Sequence, residues 1–235
     1  MERKTSDAQR EHAVMVAAGS AWLEGLLGIP SAAHGVVICA HASGSSRYSD
    51  QQRATAGMLR AEGLATLLLD LFTAEEEALD ARMHHLKYDI GLLAERLIAV
   101  TDWLTGYPDT HHLPVGYFGA GTGIGAALVA AAERAESVGA VVSQSGRPDL
   151  ADLALHRVRA PTLLLVGGKD FSLMALSRTA LEHIHGEKEL TVIPGVADLF
   201  EEPDRLEAVV QAACAWFNQH LVPLHEAQDL LVVDV

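Results

Sequence analysis

The stretch PVGYFGAGTGIGAALVAAAE, from Pro114 to Glu133, sets a short apolar run ahead of a glycine-dense turn and an alanine-rich segment. Two chemistries use a strand, a tight turn and a helix in that order. One cradles a dinucleotide pyrophosphate on the amides of a helix N-terminus. The other lifts a nucleophilic serine on a sharp elbow. GTGIGA, from Gly121 to Ala126, fits the dinucleotide pattern G-x-G-x-x-A. That pattern opens the first βαβ unit and is followed about 20 residues later by an acid for the ribose. Here several apolar runs come earlier, and the later region reads VVSQSGRPD, its run ending in Ser143 and Gln144. The elbow frame fits better. GAGTG, from Gly119 to Gly123, matches G-x-S-x-G, with small residues flanking the tip where larger side chains would collide. The tip itself is Gly121, so the serine is absent.

Acyl transfer needs an atom that attacks the carbonyl and a base that takes its proton. Glycine offers no such atom. It does relieve the turn, because an elbow residue usually has positive φ, a region that strains residues with a Cβ and that glycine enters freely. Thr122, one residue on, faces the wrong side of the turn to replace the serine. Cys39 and His41 are two apart and share a face in an extended strand, the arrangement of a reactive thiol pair. Cys39, however, stands inside an apolar run that keeps a thiol protonated, and it reads as structural. Ser143 and Ser145 follow a different run and read as the floor of a pocket. The pairs His84-His85 and His111-His112 and the HIH of His183 to His185 lack a helix-face metal spacing and read as solvated loop residues. Trp103, Trp216 and Phe217 read as core.

The elements that must position the turn follow from alternating apolar runs and amphipathic stretches, the pattern of a mostly parallel sheet covered by helices. EHAVMVAAG and AWLEGLLGIP predict an antiparallel hairpin, and GVVICA, from Gly35 to Ala40, a short buried strand followed by the loop HASGSSR. SDQQRATAGMLRAEG predicts a helix capped at Ser49 or Asp50 and stopped at Gly63. LATLLLD is a further strand. YDIGLLAERLIAVTDWLTG is a long helix with an apolar stripe at Ile90, Leu93, Leu97, Val100 and Leu104. A strand over Val115 to Phe118, the glycine turn and a helix from Ile124 come next. VGAVVSQSG and APTLLLVGG are strands, Leu173 to Ile184 a helix, ELTVIP a strand and EPDRLEAVVQAACAWFNQHL a closing helix. The fold class expected is α/β, one doubly wound domain over 1–235 with seven or eight strands, a polar lead-in at 1–12 and a tail at 222–235.

Composition narrows the function. The chain has 235 residues, 49% of them hydrophobic, enough for one substantial core. A net charge of −14 argues against nucleic acid and anionic membrane as partners, since both select basic patches. The acid run Glu75-Glu76-Glu77 reads as a solvated face. Two cysteines, Cys39 and Cys214, sit in apolar segments and read as reduced, buried thiols. With no apolar leader and no run of membrane-spanning length, the expected location is the cytoplasm.

The segments HASGSSRYS, GLATLLLDLFTAEEE, YDIGLLAERLIAVTDWL, LPVGYFGAGTG, VVSQSGRPDL, PTLLLVGGKD and VIPGVADLFEEP, in this order from about Trp22 to His220, resemble the dienelactone-hydrolase type of the α/β-hydrolase superfamily, the group sometimes fused to phosphoribosyltransferases. The resemblance implies an α/β-hydrolase fold with no large lid. Members of the group usually read G-A-S-T-G at the elbow. They usually carry a histidine where this chain has Asp198, and HGSGSSR where it has HASGSSR. By the same resemblance Gly121 stands at the nucleophile position, Asp170 in VGGKD at the acid and Asp198 at the base, leaving a degenerate triad. Aspartate serves poorly as the base near neutral pH, with a reference pKa of about 3.9. Amides of Thr122 and of Ala42 or Ser43 would complete the old oxyanion hole. With His41 and Arg47 they form the expected ligand-binding set. Arg47 has a structural alternative, pairing with an acid such as Asp70. Asp170 and Asp198 are expected to be neighbours. Two carboxylates there would raise one pKa or, with His41, recruit a cation, and the plainer reading has Asp198 facing water. No cofactor and no metal are expected. The implied function is a pseudoenzyme that binds a small carboxylate, ester or lactone, or an interaction protein. A hydrolase of esters or lactones with rearranged groups is the alternative, and the class also admits a homodimer.

Overall fold

The apolar runs assemble into one eight-stranded sheet in a computed structural model, which describes residues 11–41, 47–197, 199 and 203–221. The strands are β1 (Glu11–Ala18), β2 (Ala21–Gly28), β3 (Gly35–His41), β4 (Leu64–Asp70), β5 (Val115–Gly121), β6 (Val138–Gly146), β7 (Thr162–Gly167) and β8 (Lys188–Ile193). Among the described residues, six helices flank them: α1 (Asp50–Ala61), α2 (Ala74–Met83), α3 (Ile90–Gly106), α4 (Gly123–Glu133), α5 (Phe171–His183) and, after the last strand, α6 (Pro203–His220). Short 3-10 segments lie at Leu86–Tyr88 and Pro148–Arg157.

The order across the sheet is β1-β2-β4-β3-β5-β6-β7-β8. β2 runs antiparallel to β1 and β4, and the remaining neighbours are parallel. The early hairpin is present as read. After β3 the chain steps first to β4 on one side and then to β5 on the other. Such a reversal opens a crevice at the carboxyl ends of the two central strands, where open α/β sheets bind ligands. His41 ends β3 and Gly121 ends β5, with His41 in register with Ala120. The topology therefore brings the elbow and the start of the loop after β3 to one place.

Period-two alternation sends β3 to two cores. Val36, Ile38 and Ala40 pack with α3 and α4, and Val37 and Cys39 pack with α1 and α6. Helix α3 buries Leu93, Leu97, Val100 and Leu104 of the stripe read from its sequence, and Ile90 packs partly buried against the same core. Trp216 and Phe217 are buried on α6, and Trp103 packs partly buried against the other core. Both cysteines are buried and free. No helix among the described residues is long and apolar enough to cross a membrane.

One reading is corrected. The acid run forms the first turn of α2, where Glu75 and Glu77 are exposed as read but Glu76 is half-buried and bonded. Thr73 caps the helix and Glu76 returns a bond to the Thr73 N–H, forming a capping box. The Arg96 fork then grips Glu76 at 2.7 and 2.5 Å and also donates to the Leu71 carbonyl. The apolar positions of α2 do not form a buried stripe. Leu79 and Met83 are exposed, so the helix gave no periodic signal. β1 begins at Glu11, as the EHAVMVAAG reading has it, and Glu11 pairs with buried Arg60 at 2.8 Å. The tail at 222–235 lies outside the described residues.

Candidate functional site

Gly121 is the last residue of β5, with φ +51°, and α4 begins two residues later. This is the sharp strand-to-helix crest expected of an elbow. A Cβ built at Gly119 would meet the Ile124 backbone and side chain at 3.2 Å, so the turn closes tightly on that glycine. A Cβ at Gly121 would meet nothing within 4 Å. The tip therefore opens onto free space, and its difficulty for a larger residue is conformational rather than steric. Thr122 occupies the N-cap of α4 in helical conformation and makes no side-chain cap bond, and no acid stands in the first turn. The N-terminus of α4 thus keeps its positive dipole end beside the crest.

Asp170 follows β7 and caps α5, its Oδ1 accepting the Leu173 N–H at 2.9 Å. One carboxylate oxygen is thus occupied by a structural bond. Asp198, which the resemblance sets at the base position, lies outside the described residues, and so does its expected proximity to Asp170. Its neighbours are placed. The Gly168 N–H donates to the Ile193 carbonyl and the Lys169 N–H to the Val196 carbonyl, both at 2.8 Å, which stitches the chain after β8 to the turn that carries Asp170. Leu199, fully buried, is held on its other side. Gln144 Nε2 donates to its carbonyl at 3.3 Å, and its own N–H donates to Ser145 Oγ at 3.4 Å.

Of the expected ligand-binding set, Ala42 and Ser43 lie outside the described residues. His41 is placed by its backbone at the end of β3, in register with Asp70 and Ala120. Arg47 takes the structural alternative foreseen for it. Its guanidinium bonds Asp70 and Glu24, its N–H donates to Asp70 Oδ1 at 2.9 Å, and it lies over the Tyr48 ring at 4.4 Å. The reactive Cys39 pair does not fit its surroundings, because burial pushes the Cys39 thiol up to about 12.

Two features were not read from the sequence. The Arg147 N–H donates to the Gly121 carbonyl at 2.8 Å, joining β6 to the crest. Ser145 has φ +47° at the end of β6. The only signal for either was Gly146, which marks a tight turn without saying what it displays. Elsewhere, a groove of about 470 Å³ lined by His12, Pro30, Asp109 and His112 lies at the opposite, amino-terminal edge of the sheet, away from the crest.

This geometry has relatives. A dienelactone hydrolase from Anabaena variabilis is 57% identical and superposes with a TM-score of 0.87, covering 91% of this chain and 99% of its own. A dienelactone hydrolase-like promiscuous phosphotriesterase from metagenomic libraries shares the fold at 17% identity and a TM-score of 0.73, over 91% of this chain and 99% of its own. In two strains of Mycobacterium tuberculosis, a protein named as a phosphoribosyl transferase is 52% identical over 212 residues, 90% of this chain and 47% of the relative. The chain thus spans about half the length of the curated relatives it matches. The model of the dienelactone hydrolase family matches residues 23–226, and the chain belongs to that family.

Proposed function

We propose that this chain binds a small carboxylate, ester or lactone in the crevice above Gly121 and does not form a covalent intermediate with it. The observation that carries the reading is the glycine at the crest of an otherwise well-formed elbow. A residue without a side chain cannot supply the attacking atom. Asp198 at the base's place in the sequence supports it, since a carboxylate is a weak base near neutral pH. The exposed crest beside the uncapped N-terminus of α4 favours an anionic or carbonyl oxygen there. Amides of Thr122 and of Ala42 or Ser43 are the proposed donors, with His41 beside them. In this reading Arg47 stays paired with Asp70 and Glu24 rather than contacting the ligand first. The protein works as one domain in the cytoplasm without a cofactor.

A second reading is favoured by the 57% identity to a protein named dienelactone hydrolase. There, Asp170 and Asp198 would activate water directly on an ester or lactone. The phosphoribosyl transferase name of the longer relatives describes proteins of about twice this span. We assign that activity to the part of them that this chain does not match. Incubating the purified protein with dienelactone separates the two readings. Saturable binding without ring opening supports the first, and turnover that Asp198→Ala abolishes supports the second.

A further inference from the structure

β5 and β6 keep one register from Gly116 opposite Ala140 to Ala120 opposite Gln144, and the next pair is Gly121 opposite Gly146. Ser145 is therefore an extra residue, a bulge facing the tip of the elbow. Bulges re-aim side chains and recur beside functional sites. Ser145 is also one of three non-glycine residues of positive φ among those described, at +47°. A residue with a Cβ is strained in that region, and such strain gathers where a side chain is needed in a particular place.

The surroundings show how the bulge is held. Ser143, buried, accepts the Gly146 N–H at 3.2 Å through its Oγ. A Cβ at Gly146 would fall 2.3 Å from Ile124 Cγ2 and 2.6 Å from Ser143 Oγ, so the turn closes only on glycine at 146. Glycine serves that closure, and a serine is kept one residue earlier, where glycine would relieve the backbone. The half-buried Ser145 hydroxyl accepts the Leu199 N–H, and a hydroxyl that accepts keeps its own proton to give.

We propose that Ser145 is a ligand-binding residue of the crevice, donating its O–H to an oxygen of the bound carboxylate, ester or lactone. The inference rests on the ligand class proposed above and names one of its contacts. The role is donation to the ligand, not attack upon it. Ser145 takes over the polar contact at the crest that a side chain at residue 121 would otherwise make, from the neighbouring strand.

The test uses two probes on the full chain. Methyl methanethiosulfonate reports whether position 145 opens to the crevice, through the Ser145→Cys thiol. The native thiols are a quiet background, since burial pushes Cys39 up to about 12 and Cys214 up to about 11. Dienelactone titrated by calorimetry reports binding in Ser145→Ala and Ser145→Gly. The Ser145→Cys thiol is expected to react at least about tenfold faster than the native thiols, and dienelactone to slow it. Both the alanine and the glycine variants are expected to bind dienelactone about tenfold more weakly than wild type. The glycine variant is expected to melt at or above the wild-type temperature, which separates lost binding from lost folding. Variants that bind as tightly as wild type overturn the inference, as does a Ser145→Cys thiol no faster than the native ones. Fast labelling in a protein that binds no dienelactone supports the crevice placement of residue 145 and overturns the proposed ligand instead.

Discussion

The Arg147 N–H donates to the Gly121 carbonyl at 2.8 Å, so the end of β6 holds the crest of the elbow from the side. Arg147 is itself anchored, its guanidinium forked onto Asp149 at 2.7 and 2.6 Å. The crest is thus maintained by backbone pairing and by tight closure at Gly119, neither of which needs a serine at the tip.

Gly121→Ser is expected to lower Tm by about 2–4 °C, because φ +51° strains a residue with a Cβ by about 1 kcal/mol. No clash adds to this, as the space around the tip is open. Scanning calorimetry of the purified variant checks it. A rise in Tm would show that the crest is not held in the left-handed region.

The grip of Arg96 on α2 makes a pH-dependent contribution. The Arg96 hydrogen bonds hold the Glu76 carboxyl below the usual glutamate range, against a smaller opposing effect of burial. A lowered folded-state pKa gives stability that is present above the unfolded value, about 4.3, and is lost as pH falls through the folded value. Glu76→Gln is therefore expected to melt below wild type at pH 7, with the gap closing under about pH 4. Parallel melting curves from pH 3 to 7 check it, and a gap that widens in acid would contradict the pairing.

Neither thiol is expected to react with Ellman's reagent at pH 7 until the chain unfolds. Burial is the main cause in both, raising Cys39 to about 12 and Cys214 to about 11. One rapid equivalent of released thiolate in the native protein would reopen the Cys39 and His41 pair as a reactive centre.

Much of the fold was legible because its signals are local. GVVICA and LATLLLD are continuous apolar runs that serve both cores, and the α3 stripe repeats at helical spacing. The elbow was legible because its glycines answer a steric demand made within five residues. What escaped depends on contacts across the chain. Helix α2 has no buried stripe, and its Thr73 to Glu76 capping box was the overlooked local sign. Glu76 looked solvated because Arg96, its partner, lies 20 residues away. The Ser145 bulge is defined by register with β5, which no single stretch of sequence contains.

Whether the crest binds without attacking is read from the rate of dienelactone ring opening by the wild-type protein. Saturable binding with no acid released above the buffer rate is expected. Turnover by the wild-type chain, removed by Asp198→Ala and unaffected by refolding controls, would contradict it.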